Sequence, residues 1–153
     1  MEEKLSLEQD DYIGEWHVLF TDFPMWLKGK RSNPRFIYQA GTRNGKEGLI
    51  DTVRYEQAGR TREINGFDFV LDAQYTRFCW RGNGLLSLLR SNWRLIHISK
   101  DRNWAIIRFR KTLFTPEGVD VICRSREPGE AALTDMRQAI KDCLGMRKLR
   151  FLG

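Results

Sequence analysis

The chain has 153 residues, 41% of them hydrophobic and 30% charged, and a formal net charge of +6. That length suits one domain able to bury a core without covalent staples, and the composition is too apolar for a disordered chain. No stretch approaches the roughly 18 apolar residues a membrane helix needs. Aromatic residues make up 12% of the chain, a large apolar payload for a small protein. Cys79, Cys123 and Cys143 are far apart and odd in number. They fit neither a disulfide framework nor a close metal-ligand set, and a reducing compartment is the simpler reading. Residues 1–11 are acidic and polar, with no signal peptide or lipid-attachment cysteine, so the expected location is the cytoplasm.

From Gly14 onward, short alternating runs separated by turn residues predict antiparallel strands. The first holds Trp16, Val18 and Phe20. The second (Phe36, Tyr38, Ala40) and third (Leu49, Asp51, Val53, Tyr55) are divided by a turn-rich segment from Gly41 to Gly48. A fourth run over residues 62–69 follows Gly59. Four more centre on Phe78 and Trp80, on residues 93–99, on residues 104–109 and on residues 119–123. The period then changes: Leu133, Met136, Ile140, Cys143 and Leu144 recur at three- and four-residue steps, a stripe that only a helix places on one face. Pro128 suits its first turn and Gly145 its end.

Eight meandering strands and one helix predict an all-β fold. One helix covers only part of a sheet, so the strands must close on themselves as an eight-stranded antiparallel up-and-down barrel with the C-terminal helix packed outside. The predicted organisation is a single domain over residues 1–153: an N-terminal segment 1–11, the barrel 12–125, the helix 127–145 and a short terminal strand within 147–152.

Two motifs then carry a family resemblance over nearly the whole chain. Tyr12-Ile13-Gly14-Glu15-Trp16 contains the Gly-x-Trp of a first barrel strand, and Arg124 ends the last barrel strand just before the helix. In this order and separation they resemble the lipocalins, most of all the branch of bacterial lipocalin and apolipoprotein D. The resemblance implies that Gly14, Trp16 and Arg124 form a structural signature, with Arg124 stacked over Trp16 at the closed end of the barrel. The family's middle motif is altered: residues 99–105 read Ser-Lys-Asp-Arg-Asn-Trp-Ala, with Lys100 where the family carries an acid.

Alternation from an inward Trp16 places Val18 and Phe20 on the same face. The family register implies Phe36, Tyr38, Val53, Phe78, Trp80, Ile96, Ile107, Phe109 and Ile122 inside as well. It also turns Asp51, Arg94 and Asp120 inward, either as a buried network or with Arg94 as the anchor of a ligand carboxylate; the other reading leaves these charges at strand ends in solvent. The implied function is binding or carriage of a small hydrophobic molecule such as a fatty acid or lysophospholipid. Its candidate contacts are Phe20, Phe36, Tyr38, Val53, Phe78, Trp80, Arg94, Ile107, Phe109 and Asp120. The other reading of these aromatics is a filled core.

Three loops at the presumed open end are apolar where loops are usually polar. They hold Phe23-Pro24-Met25-Trp26-Leu27, the leucines at 85, 86, 88 and 89, and Leu113-Phe114, and near them lie Lys28, Lys30, Arg31, Arg90 and Lys111. Contact with an anionic membrane, a homodimer interface and a lid are the three readings. The chain carries no hydrolase elbow, no Cys-x-x-Cys, no phosphate loop and no zinc motif. Neither a catalytic residue, a metal site nor a cofactor is therefore expected, and His17 and His97 both alternate outward. A lipocalin-fold enzyme using Cys79 or Cys123 on a bound lipid is one alternative. The other is a single-stranded nucleic-acid-binding barrel built on Arg77, Arg81, Arg94, Arg108 and Arg110, which the charge balance does not favour.

Overall fold

Tight turns and long alternating runs together dictate the meander seen in the computed structural model, which describes residues 5–113 and 115–153. Strand β1 (Gly14–Thr21) leads through a one-turn helix α1 (Pro24–Leu27) into β2 (Ser32–Arg43). Then follow β3 (Lys46–Gln57), β4 (Arg60–Val70), β5 (Arg77–Gly82), β6 (Arg90–Ile98), β7 (Trp104–Phe109) and β8 (Gly118–Cys123). Each strand pairs antiparallel with the next, and β1 pairs with both β2 and β8, so eight strands close into an up-and-down barrel.

The β2–β3 turn is tighter than the expected segment 41–48. Only Asn44 and Gly45 leave the strands, both at positive φ (53° and 74°), as a two-residue hairpin turn requires. Gly41 and Gly48 instead face each other in the ladder.

Helix α2 (Glu130–Leu144) lies on the outer wall. Its Met136, Ala139 and Ile140 pack on Leu19, Ile106, Val119 and Val121, a second apolar cluster separate from the barrel interior. Gly129 occupies the N-cap, so Pro128 precedes the helix instead of starting it, and Gly145 at φ 65° ends it. The terminal strand β9 (Arg150–Phe151) pairs with Phe20 and Thr21, continuing along the edge of β1 beyond the point where its pairing with β2 stops at His17.

Two β-bulges correct the expected register. In β1 the pairing with β8 slips between Val18 and Phe20, so Leu19 and Phe20 both lie in the outer cluster beneath α2. Phe20 therefore leaves the candidate ligand wall, packing on Phe151 at 5.0 Å between ring centroids. In β6 a slip between Leu95 and His97 breaks the period. Trp93 and Leu95 point inward, Ile96 packs on the outer cluster and Arg94 is exposed. Arg94 thus anchors nothing inside the barrel.

At the closed end the expected stacking of Arg124 on Trp16 is present. The Arg124 guanidinium sits 4.0 Å from the centroid of the Trp16 ring and donates to the carbonyls of Asp11, Ile13 and Arg102. The β6–β7 loop keeps its internal bonding despite Lys100. Ser99 Oγ donates to Asp101 at 2.6 Å, and the backbone N–H of Asn103 and that of Trp104 both donate to Ser99 Oγ. Leu7 and Tyr12 plug the barrel from below.

Candidate functional site

Below mid-height the barrel is solid. Phe36, Tyr38, Trp93 and Phe78 form a stack, with centroids 6.1 Å, 5.9 Å and 4.3 Å apart, and Tyr12 abuts Phe78 edge-on at 5.1 Å. Tyr38, Phe78 and Ile107 belong to this packed layer. Above it opens a cavity of about 1210 Å³. Its walls include Phe36, Val53, Trp80, Trp93, Phe109 and Asp120, with Asp51 also exposed to the space. The expected alternatives of a cavity and a filled core are both realised, one above the other.

Of the ten candidate contacts, Phe36, Val53, Trp80, Phe109 and Asp120 line the cavity. Tyr38, Phe78 and Ile107 lie in the packed core, and Phe20 and Arg94 face away from the interior. Sequence reasoning missed Trp93, Asp68 and the arrangement of Trp26. The signal for Trp26 was its place in an apolar loop. Asp68 gave none, because it stands between Phe67 and Phe69, whose rings pair on the outer face at 4.9 Å.

The first apolar loop is a lid. Trp26 of α1 is buried against Phe36 and Tyr55, at 6.4 Å and 5.7 Å between centroids, and its Nε1 donates to Asp120 Oδ2 at 3.1 Å. Thr21 Oγ1 donates to Asp120 Oδ1 at 2.5 Å and accepts from the Phe23 N–H at 2.9 Å, tying both ends of the lid to one carboxyl. Phe23 lies so close to β8 that a Cβ on Gly118 would come within 1.9 Å of its ring. Overpacking of this kind costs about 1–3 kcal/mol. Gly118→Val is therefore expected to push Phe23 and Trp26 outward, raising acrylamide quenching of tryptophan fluorescence. Unchanged quenching would mean that the lid does not depend on this contact.

Three carboxyls lie inside the barrel: Asp51, Asp68 and Asp120, all buried. Burial raises the Asp51 pKa to about 6 and that of Asp120 to about 7, the latter despite the opposing bonds from Thr21 and Trp26. Asp68 is pushed well above the ordinary carboxylate range by burial and by the neighbouring Asp51 charge, and it accepts from Trp93 Nε1 at 2.9 Å. Among the described residues no Lys, Arg or His is buried.

The other two loops stand outside. Leu85, Leu88 and Leu113 are 102%, 87% and 96% exposed, and Phe114 lies outside the described residues. Lys28, Arg31, Arg90, Arg110 and Lys111 line the mouth beside them. Arg31 braces the lid by donating to the Met25 carbonyl at 3.1 Å over the Tyr55 ring.

No protein-family model matches the chain, and no curated protein matches it in sequence. Solved structures do resemble it. Lobster apocrustacyanin A1 superposes with a TM-score of 0.61 at 13% identity, covering 88% of this chain and 72% of that one. Apocrustacyanin C2 gives a TM-score of 0.61 at 13% identity, covering 89% and 73%. Likeness at that identity defines the fold: a closed, lipocalin-type, eight-stranded barrel with a C-terminal helix.

Proposed function

We propose that the protein binds and carries a small hydrophobic, lipid-like molecule in the upper half of its barrel, acting as a binder and not as an enzyme. The observation that carries this reading is the open-mouthed, largely apolar cavity of about 1210 Å³ above a solid core. Burying an apolar chain there contributes about 0.8 kcal/mol per CH₂ group. Fatty acids and lysophospholipids fit with the chain inside and the head at the basic mouth, since Arg94 offers no internal anchor. The Trp16–Arg124 pairing supports a distant place among the lipocalins, and the branch of bacterial lipocalin and apolipoprotein D is the placement proposed within them. Three free thiols, Cys79, Cys123 and Cys143, support a reducing, cytoplasmic setting.

The alternatives have less support. Cys79 borders the cavity but neither histidine does, so no thiol–imidazole pair is formed there. Trp93 and Phe109, which a nucleic-acid surface would use for stacking, point into the barrel.

Titration calorimetry with lysophospholipid and dodecanoate should give one site per chain, and Val53→Trp, which fills the chamber, should weaken binding at least about tenfold. Unaltered affinity in that variant would place the site elsewhere, and no binding of either compound would remove the carrier reading.

The mouth favours an anionic membrane as the source or destination of the cargo. Exposed Leu85, Leu88 and Leu113 suit shallow insertion, and the neighbouring cations suit anionic headgroups. Vesicles containing about 30% phosphatidylglycerol should sediment with the protein, whereas neutral phosphatidylcholine vesicles should not, and Leu85→Asp with Leu88→Asp should release it. Equal recovery with both vesicles would exclude the charge-assisted contact, and a concentration-dependent dimer would assign the leucines to self-association.

A further inference from the structure

The cavity is basic at its rim and acidic within, and among the described residues no buried basic side chain accompanies the acids. Asp51 is 4% exposed, lines the cavity, and its Oδ1 receives no hydrogen bond from any N–H or hydroxyl among the described residues. Its one side-chain partner is Asp68, another acid, whose Oδ2 is likewise without such a donor. Asp120 lines the same cavity from β8.

A buried carboxylate is costly unless a cation or several donors accompany it. The barrel supplies Thr21 and Trp26 to Asp120 but no basic side chain to either acid. The rim cations are near solvent, where salt screens them over about 8 Å. Phe36, Trp80 and Trp93 line the same cavity, and aromatic rings attract ammonium groups. A carboxylate among aromatic rings is the chemistry of ammonium recognition.

We propose that the cargo carries a protonated amine at its buried end, held by Asp51 with Asp120 as the second carboxylate of the chamber. This deepens the carrier reading and rests on it. A fatty acid would bind only with its carboxylate at the rim, because at the floor it would meet Asp51. Binding of an ammonium selects the ionised form of Asp51, so affinity for an amine rises with pH over the range in which Asp51 and Asp120 titrate. The groups facing Asp51 are Tyr38 from β2 and Asp68 from β4. Those facing Asp120 are Thr21 from β1 and Trp26 from α1, with the charge of Asp22 nearby and bonded to Arg147. None of these supplies a positive charge to the chamber, and the rim cations Lys28, Arg31, Arg90, Arg110 and Lys111 oppose the effect at low salt.

The test is calorimetry of the full chain with decylamine, decanol and decanoate at about pH 5 and about pH 8. At the higher pH decylamine should bind at least about tenfold more tightly than decanol, and the ratio should shrink at the lower pH as the acids protonate. Asp51→Asn should collapse that ratio, and Asp120→Asn should reduce it. Should Asp51→Asn not fold, the pH dependence of the wild-type ratio decides. Decanol or decanoate binding as tightly as decylamine at the higher pH would overturn the amine assignment and leave the carrier reading standing. Failure of all three to bind would overturn both.

Discussion

Replacing Arg124 by alanine is expected to lower the free energy of unfolding by about 4 kcal/mol, the largest single loss outside the apolar core. The guanidinium donates to three carbonyls, Ile13 at 2.6 Å, Asp11 at 2.8 Å and Arg102 at 3.1 Å, and covers the Trp16 ring at 4.0 Å. The carbonyls come from the segment before β1 and from the β6–β7 loop, and the Trp16 ring from β1. One side chain just past the end of β8 therefore ties the N-terminal segment, β1 and that loop together at the closed end. Hydrogen bonds to a charged group contribute about 1.5–3 kcal/mol each, with partial compensation by water after truncation. Arg124→Lys should fall between wild type and alanine, since an ammonium keeps the charge but not the fork that reaches three carbonyls. Urea denaturation measures both. A loss below about 1 kcal/mol for alanine would mean that water replaces the guanidinium and that the signature is not structural.

The second large effect is on pH dependence. Asp120 has a pKa of 3.8 as the unfolded-chain reference and about 7 when buried in the barrel. Between those values the folded state keeps a proton that the unfolded chain releases, so this group makes stability fall as pH rises from about 4 to about 7. At about 1.36 kcal/mol per unit, the charged carboxyl destabilises the fold by about 4 kcal/mol above that range. Asparagine has the same shape and can serve both Thr21 and Trp26. Asp120→Asn should therefore match wild type near pH 4 and exceed it progressively up to about pH 8, where the difference becomes constant. Comparing the two proteins cancels the surface acids, whose depressed pKa values act in the opposite direction; Glu56 beside Arg35 and Glu117 beside Arg147 and Arg108 are examples. A difference independent of pH would show that Asp120 titrates normally and that the interior is wet.

Most elements were legible because their causes are local. The three-and-four spacing of Leu133, Met136 and Ile140 marks α2, and the turn-rich segment 41–48 marks the β2–β3 connection, though only Asn44 and Gly45 leave the strands. Trp16 and Arg124 were paired by their motif, and their contact is present. The inward and outward errors in β1 and β6 have one cause. Alternation tells in from out only while the ladder is regular, and bulges in β1 and β6 shift it beside the helix. Phe20 and Ile96 moved outward with that shift, and Arg94 with them.

Sequence alone thus determined that eight strands and a helix must close into a barrel, because nothing else buries their apolar faces. The register implied by the resemblance also turns Asp51 and Asp120 inward, one of two open readings, and both are buried there. Only the tertiary structure decided how the aromatics divide between a solid lower layer and an open chamber, since stacking depends on side chains from strands far apart in sequence. The same holds for the polarity of that chamber. Asp68 emerges inside because the flanking phenylalanines pack outward, and the interior is acidic because the bulge in β6 leaves Arg94 in solvent.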